Sequence, residues 1–129
     1  MCIRDSSAIG ITLGNLANLY YSQGQYAQAE PLQRRALTIK EKAFPPDHRE
    51  IAVTLFSLAV LYKAQGQYAQ AEPLSQRALA IDEKVFGPEH KEVATDLEAY
   101  ADLLRKMKRT EEATQLEARA KAIRAKSSS

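Results

Sequence analysis

The chain has 129 residues, of which 45% are hydrophobic and 26% charged, enough for one packed domain or a short repeat array. Its 18 basic and 16 acidic side chains leave a formal net charge of +2, too balanced and too evenly spread to argue for nucleic acid or an anionic membrane as partner. The single cysteine, Cys2, excludes an internal disulfide, and the most apolar run, Ile51 to Tyr62, is far shorter than the ~20 residues a bilayer span needs.

These features describe a soluble chain, expected to be cytoplasmic, because the N-terminus carries no signal-peptide apolar region. Cys2 suits a reducing compartment, and with only Arg4 nearby to activate its thiol no reactive role is assigned to it. Residues 1–7, Met-Cys-Ile-Arg-Asp-Ser-Ser, match nothing later in the chain. They read as a non-repeat lead-in, either disordered or a scar at the edge of a sequence fragment.

From Ala8 onward the chain repeats itself. Gln23-Gly-Gln-Tyr-Ala-Gln-Ala-Glu-Pro-Leu32 returns as Gln65 to Leu74, an offset of 42, and residues 8–49 laid on 50–91 are identical at 26 of 42 positions without a gap. A first helix is expected over 8–23, stopped by Gly24, and a second over 26–43, stopped by Pro45-Pro46, since proline lacks the donor and clashes with the preceding turn. The third, 48–65, carries Ile51, Leu55, Leu58, Ala59, Leu61 and Tyr62 at helical spacing and ends at Gly66. The fourth, 68–85, carries Ala71, Leu74, Ala78, Leu79, Ile81 and Val85 and ends at Phe86-Gly87-Pro88.

The last two helices, 90–107 and 110–126, form a weaker copy. Leu97, Ala101, Leu103, Ala113, Leu116, Ala120 and Ile123 fall in register with Leu55, Ala59, Leu61, Ala71, Leu74, Ala78 and Ile81, while Lys108-Arg109-Thr110 replaces the Gly-Gln-Tyr turn. Asp47 with Glu50 has the spacing of a capping box, and Glu89 with Glu92 is a poorer version. Pro31 and Pro73 sit inside their helices at the same place in both copies, where a slight bend relieved by packing is expected.

The pattern Leu16-Ala-Asn-Leu-Tyr20, Gly24, Tyr26, Ala29-Glu-Pro-Leu32, Arg35-Ala-Leu37, with its second copy at Leu58 to Tyr62, Gly66, Tyr68, Ala71 to Leu74 and Arg77 to Leu79, resembles the tetratricopeptide repeat in its 42-residue form, as in kinesin light chains. The resemblance covers residues 8–126, as repeats 8–49, 50–91 and 92–126, with 127–129 a disordered tail. It implies an all-α fold: three antiparallel helix hairpins, six helices, stacked into a right-handed superhelical α-solenoid. Small residues at the helix crossings (Ala17, Ala29, Ala36 and Ala59, Ala71, Ala78) and large ones beside them (Leu13, Tyr20, Leu32) explain the pattern physically. The chain departs from the family at Gln33 and Ser75, where an aromatic is common, and in its third copy, whose polar last helix reads as a solvated cap.

Nothing in the sequence assembles into a catalytic or metal-binding set. His48 and His90 hold one repeat position and read as helix-start residues, with no cysteine at metal spacing. Gly24 and Gly66 belong to turns rather than to a phosphate loop, and Glu30 and Glu72 have no nucleophile beside them. No cofactor is expected, and the chain is read as a non-enzyme.

The resemblance implies that the first helix of each pair lines a concave groove that binds a peptide or protein segment. The groove-facing positions are Ile11, Gly14, Asn18, Tyr21 and Ser22, then Val53, Phe56, Val60, Lys63 and Ala64, then Thr95, Glu98, Asp102, Arg105 and Lys106, with Asn15 and Ser57 at the edge. The expected peptide-binding set is Asn15, Asn18, Tyr21, Phe56, Val60, Lys63, Glu98, Asp102 and Arg105. Asparagines bond an extended backbone, Tyr21 and Phe56 anchor an apolar side chain, and Lys63 and Arg105 attract acidic groups opposed by Glu98 and Asp102. These positions vary between copies whereas the packing positions do not. The alternatives are a self-associating array, a homo-oligomer formed through the open first repeat (Ile9, Leu13, Leu16), or a regulatory segment of a larger protein.

Overall fold

The computed structural model describes the backbone of residues 3–127 and the side chains of residues 8–126. Six α-helices and no strand occur among the described residues: α1 (Ile3–Ser22), α2 (Tyr26–Ala43), α3 (Arg49–Ala64), α4 (Tyr68–Phe86), α5 (Lys91–Lys106) and α6 (Thr110–Ser127). They form three antiparallel pairs, α1 with α2, α3 with α4 and α5 with α6, joined into a solenoid where α2 packs on α3 and α4 on α5. Helix α1 begins at Ile3, so the stretch expected as a lead-in is helical from that residue. The sequence readings of Met1, Cys2 and the last two residues of the tail lie outside the described residues.

Each pair closes on alanine. Ala17, Ala29 and Ala36, their counterparts Ala59, Ala71 and Ala78, and Ala101, Ala113 and Ala120 in the third pair are all buried. A methyl side chain at each crossing lets larger neighbours fill the space around it. Ala17, Ala29, Leu58 and Leu61 form one such cluster, flanked by Tyr20, Tyr26 and Leu32. Ile51, Leu55, Ala78 and Ile81 form the next, bridging α3 and α4 with Leu37 and Phe44 of the first repeat against it.

The turns within the pairs are identical in backbone terms. Gly24 (φ 76°) and Gly66 (φ 77°) adopt the left-handed conformation that glycine enters without steric cost. The amide after each glycine donates to the carbonyl five residues back, Gln25 to Tyr20 at 2.9 Å and Gln67 to Tyr62 at 2.8 Å. This double-bonded helix end satisfies carbonyls that would otherwise be orphaned. The third pair keeps the turn without the glycine: Lys108 takes φ 64°, and the Arg109 amide donates to the Leu104 carbonyl at 2.9 Å.

The helix starts bear out the reading of His48 and His90 as helix-start residues and correct that of the capping box. The N-cap of α3 is His48, whose Nδ1 accepts from the Glu50 amide at 3.0 Å, and His90 does the same for Glu92 at the start of α5. No Asp47–Glu50 capping box forms: Asp47 pairs with Lys84 and Glu50 with Lys40. Each histidine ring also stacks on the phenylalanine that ended the preceding helix, Phe44 on His48 at 4.3 Å and Phe86 on His90 at 4.6 Å. Histidine thus caps one helix while packing against the end of another, which a serine or aspartate would not do. The helices run on through Pro31 and Pro73, both solvent-exposed, where water can bond the carbonyls that the missing donors leave.

Candidate peptide-binding face

Asn15, Asn18 and Tyr21 project from α1, Phe56, Val60 and Lys63 from α3, and Glu98, Asp102 and Arg105 from α5. The α1 and α3 residues form a continuous strip. Asn15 and Asn18 line a cavity of about 220 Å³ with Gly14 and Gln33. Asn18 and Tyr21 share the next, about 180 Å³, with Phe56 and Val60. Phe56, Val60 and Lys63 line the one after. Buried Gln33 of α2 donates to Asn18 Oδ1 at 3.2 Å and so holds that amide on the strip. The position that lacks the family's aromatic therefore supports a groove residue from behind.

Asp102 joins the strip through an ion pair with Lys63, at 2.6 Å. That hydrogen bond holds its carboxyl below the usual range, against the opposing effect of desolvation. Glu98 and Arg105 are placed differently. Glu98 accepts two bonds from Arg124 of α6, at 2.7 and 2.8 Å, and Arg105 pairs with Glu117 and Thr114 of the same helix. Both are drawn toward α6 rather than to the pockets of the strip. The charged face of the helix read as a solvated cap is largely exposed and carries surface ion pairs: Arg119 reaches Glu83, Arg124 reaches Glu98 and Lys126 reaches Glu89.

The polar groups between repeats were not anticipated. At the α2–α3 junction Lys40, only 3% exposed, donates from Nζ to Thr54 Oγ1 at 2.8 Å and pairs with Glu50 at 3.2 Å. At the α4–α5 junction the corresponding residues are Asp82, Asp96 and Glu92. Burial first, then the facing Asp82 carboxyl, push Asp96 up to about 9, so it keeps a proton at neutral pH. A sequence signal existed: positions 54 and 96 fall on the same helix stripe as the buried leucines 55, 58, 97 and 104. A polar residue on a core stripe marks either a partner or a site.

Among the described residues, no three histidine, cysteine or acidic side chains are placed to hold a metal ion, and no helix is long and apolar enough to cross a membrane. The histidines direct Nδ1 to their own helix caps.

Among solved structures, the chain is similar to a kinesin light chain of Podosopora anserina with nearly identical TPR-like repeats: 26% identity and a TM-score of 0.84 over 95% of this chain and 57% of that one. It is also similar to BtubC (BKLC) from P. vanneervenii, 21% identical, TM-score 0.86, over 92% of this chain and 48% of that one. The TPR domain of Arabidopsis FLU is 17% identical with a TM-score of 0.80, over 91% and 95% of the two chains. The last two show the shared fold alone. The chain thus spans little more than half of the first of these proteins and about half of the second. No curated protein matches it. The tetratricopeptide repeat family model matches residues 8–84 and again 57–126, across all three helix pairs with their in-register alanines, and the chain belongs to that family.

Proposed function

We propose that the chain is a protein-interaction module that holds an extended peptide or protein segment along the face made by α1 and α3, extended to Asp102 of α5. One contrast carries this reading. The alanines that close each helix pair are shared between repeats and buried, whereas the strip residues are solvent-accessible and differ from repeat to repeat. Stability alone gives no reason for Asn18, Val60 and Asp102 to occupy one repeat position. The strip offers Asn15 and Asn18 to a peptide backbone, Tyr21, Phe56 and Val60 to an apolar side chain, and the Lys63–Asp102 pair to a polar one.

The test is selection from a displayed peptide library by the wild-type chain and by an Asn18→Ala, Phe56→Ala, Lys63→Ala variant, both checked for helicity by circular dichroism. Peptides held by the wild type and weakened at least about tenfold in the folded variant support the face, since loss of one anchor and its polar contacts commonly costs that much. Equal binding by both would place the interaction elsewhere.

A second reading, self-association, has its own observation. Leu16 and Leu19 are 41% and 55% exposed, while their counterparts Leu58 and Leu61, covered by the preceding repeat, are 3% and 2% exposed. The outer side of α1 has the same apolar pattern that α3 buries against α2, and a second copy is one body that could cover it.

A further inference from the structure

The two inter-repeat junctions are built alike but charged differently. At the first, Lys40 brings its own ammonium to Thr54 and Glu50. At the second, the residues 42 positions on are Asp82, Asp96 and Glu92, which line a cavity of about 140 Å³ walled by Ala52, Val53, Phe56 and Phe86. Asp82 and Asp96 are 9% and 7% exposed. Among the described residues no donor reaches Asp96 Oδ2, and the group facing that side chain is a second carboxyl.

The charged groups around the cavity come from four helices. Asp82 and Glu83 belong to α4 and Glu92 and Asp96 to α5; Arg49 of α3 lies over the Phe86 ring, 5.7 Å from its centroid, and Arg119 of α6 pairs with Glu83. Arg49 and Arg119 are thus placed on the aromatic ring and on Glu83, and Arg124 of α6, which donates to the lining Thr95 Oγ1 at 3.1 Å, is paired with Glu98. A buried carboxyl pair without a cation is unfavourable, and burial beside an opposite charge is what relieves it. The apolar walls fit the methylenes of a long side chain, as long cationic side chains commonly bury their stems. The acidic floor fits a terminal ammonium, and the first junction displays that arrangement with Lys40.

We infer that this cavity is a subsite for a lysine side chain of the segment held on the α1–α3 face. The inference rests on the reading of that face as a peptide-binding strip. Phe56 lines both the strip and the cavity, and exposed Val53 lies at the cavity's margin, so a peptide lying along the strip passes its opening. The incoming ammonium takes the place of the Asp96 proton, which leaves to solvent, and bonds the carboxylates as Lys40 bonds Thr54 and Glu50.

The probe is n-butylammonium chloride, followed by amide NMR shifts of the full chain, with n-butanol and sodium chloride as controls. Saturable shifts centred on Val53, Phe56, Glu92 and Asp96 are expected with butylammonium alone. They weaken at least about tenfold in Asp82→Asn/Asp96→Asn, the scale of losing charged hydrogen bonds. Asp82→Lys, which rebuilds the Lys40 arrangement, abolishes them in a folded protein. Absence of saturation, equal shifts with butanol, or shifts unchanged in both variants overturns the subsite. The same variants in the peptide selection separate the two readings. Peptides selected without enrichment of lysine, and bound equally by the Asn variant, leave the strip standing and remove the subsite. Lysine enrichment that disappears with the Asn variant supports both.

Discussion

Asp96 shows how one side chain makes stability depend on pH. In an unfolded chain an aspartate loses its proton near pH 4, but in the folded protein Asp96 holds it to about 9. Across that window the folded state binds more protons than the unfolded one, so this group makes stability fall as pH rises. The groups facing it, Asp82, Glu83 and Glu92, add to the effect because they are also acidic. Asp96→Asn should therefore flatten the decline in urea-unfolding free energy between pH 5 and 8.5 and leave the variant more stable than wild type at the alkaline end. A decline of equal slope in both proteins would show that Asp96 ionises normally. Asp102 and Glu98 act in the opposite sense: their partners hold them below the usual range, so the stability they contribute is lost at acid pH, outside this window.

The elements show where sequence reasoning succeeds and where it stops. Helix ends were legible at Gly24, Gly66 and the Pro45-Pro46 and Gly87-Pro88 loops, where backbone conformation stops the helix, although single Pro31 and Pro73 let theirs run on. Helix starts were legible in place, at His48 and His90, but not in their capping chemistry. Histidine is outside the usual capping set, and its use here depends on a ring stack with Phe44 or Phe86 that only the folded loop creates. The helix faces that carry Asn18 and Phe56 follow from periodicity, whereas the pairing of Glu98 and Arg105 with Arg124 and Glu117 of α6 has no counterpart in the earlier repeats and no signal in their sequence. The junction carboxyls were missed because by residue type Asp82 and Asp96 look like ordinary surface charges in the sequence, and only the packing of α4 on α5 buries them. The third turn gives a test at this scale. Lys108 holds the left-handed conformation that Gly24 and Gly66 hold in the other pairs, at a cost of roughly 1 kcal/mol for a residue with a Cβ. Lys108→Gly should raise the unfolding free energy by about 0.5–1 kcal/mol, the gain being trimmed by glycine's greater freedom when unfolded. A variant less stable than wild type would mean that the lysine side chain contributes more than its backbone strain removes.

In the whole molecule, the helix pairs pack chiefly on their sequence neighbours, so the two ends of the array differ in what they present. Helix α6 pairs through Arg119 and Arg124 with the helices before it, while α1 exposes Leu16 and Leu19. If that face mediates self-association, the mass measured by sedimentation should rise with concentration, and Leu16→Glu/Leu19→Glu should return a monomer with unchanged helicity. A wild-type chain that stays monomeric at high concentration would exclude it. The junction residues also make the order of the repeats a chemical variable. Each junction sets residue 40, or its counterpart, against a Glu and either a Thr or an Asp of the next pair, and Arg124 holds that position in the last repeat. Exchanging the second and third repeats would set Lys40 against Glu92 and Asp96, and Arg124 against Glu50 and Thr54. Every junction would then be neutralised from within, so in the native arrangement the linear order of homologous units decides which seam is left with acid against acid.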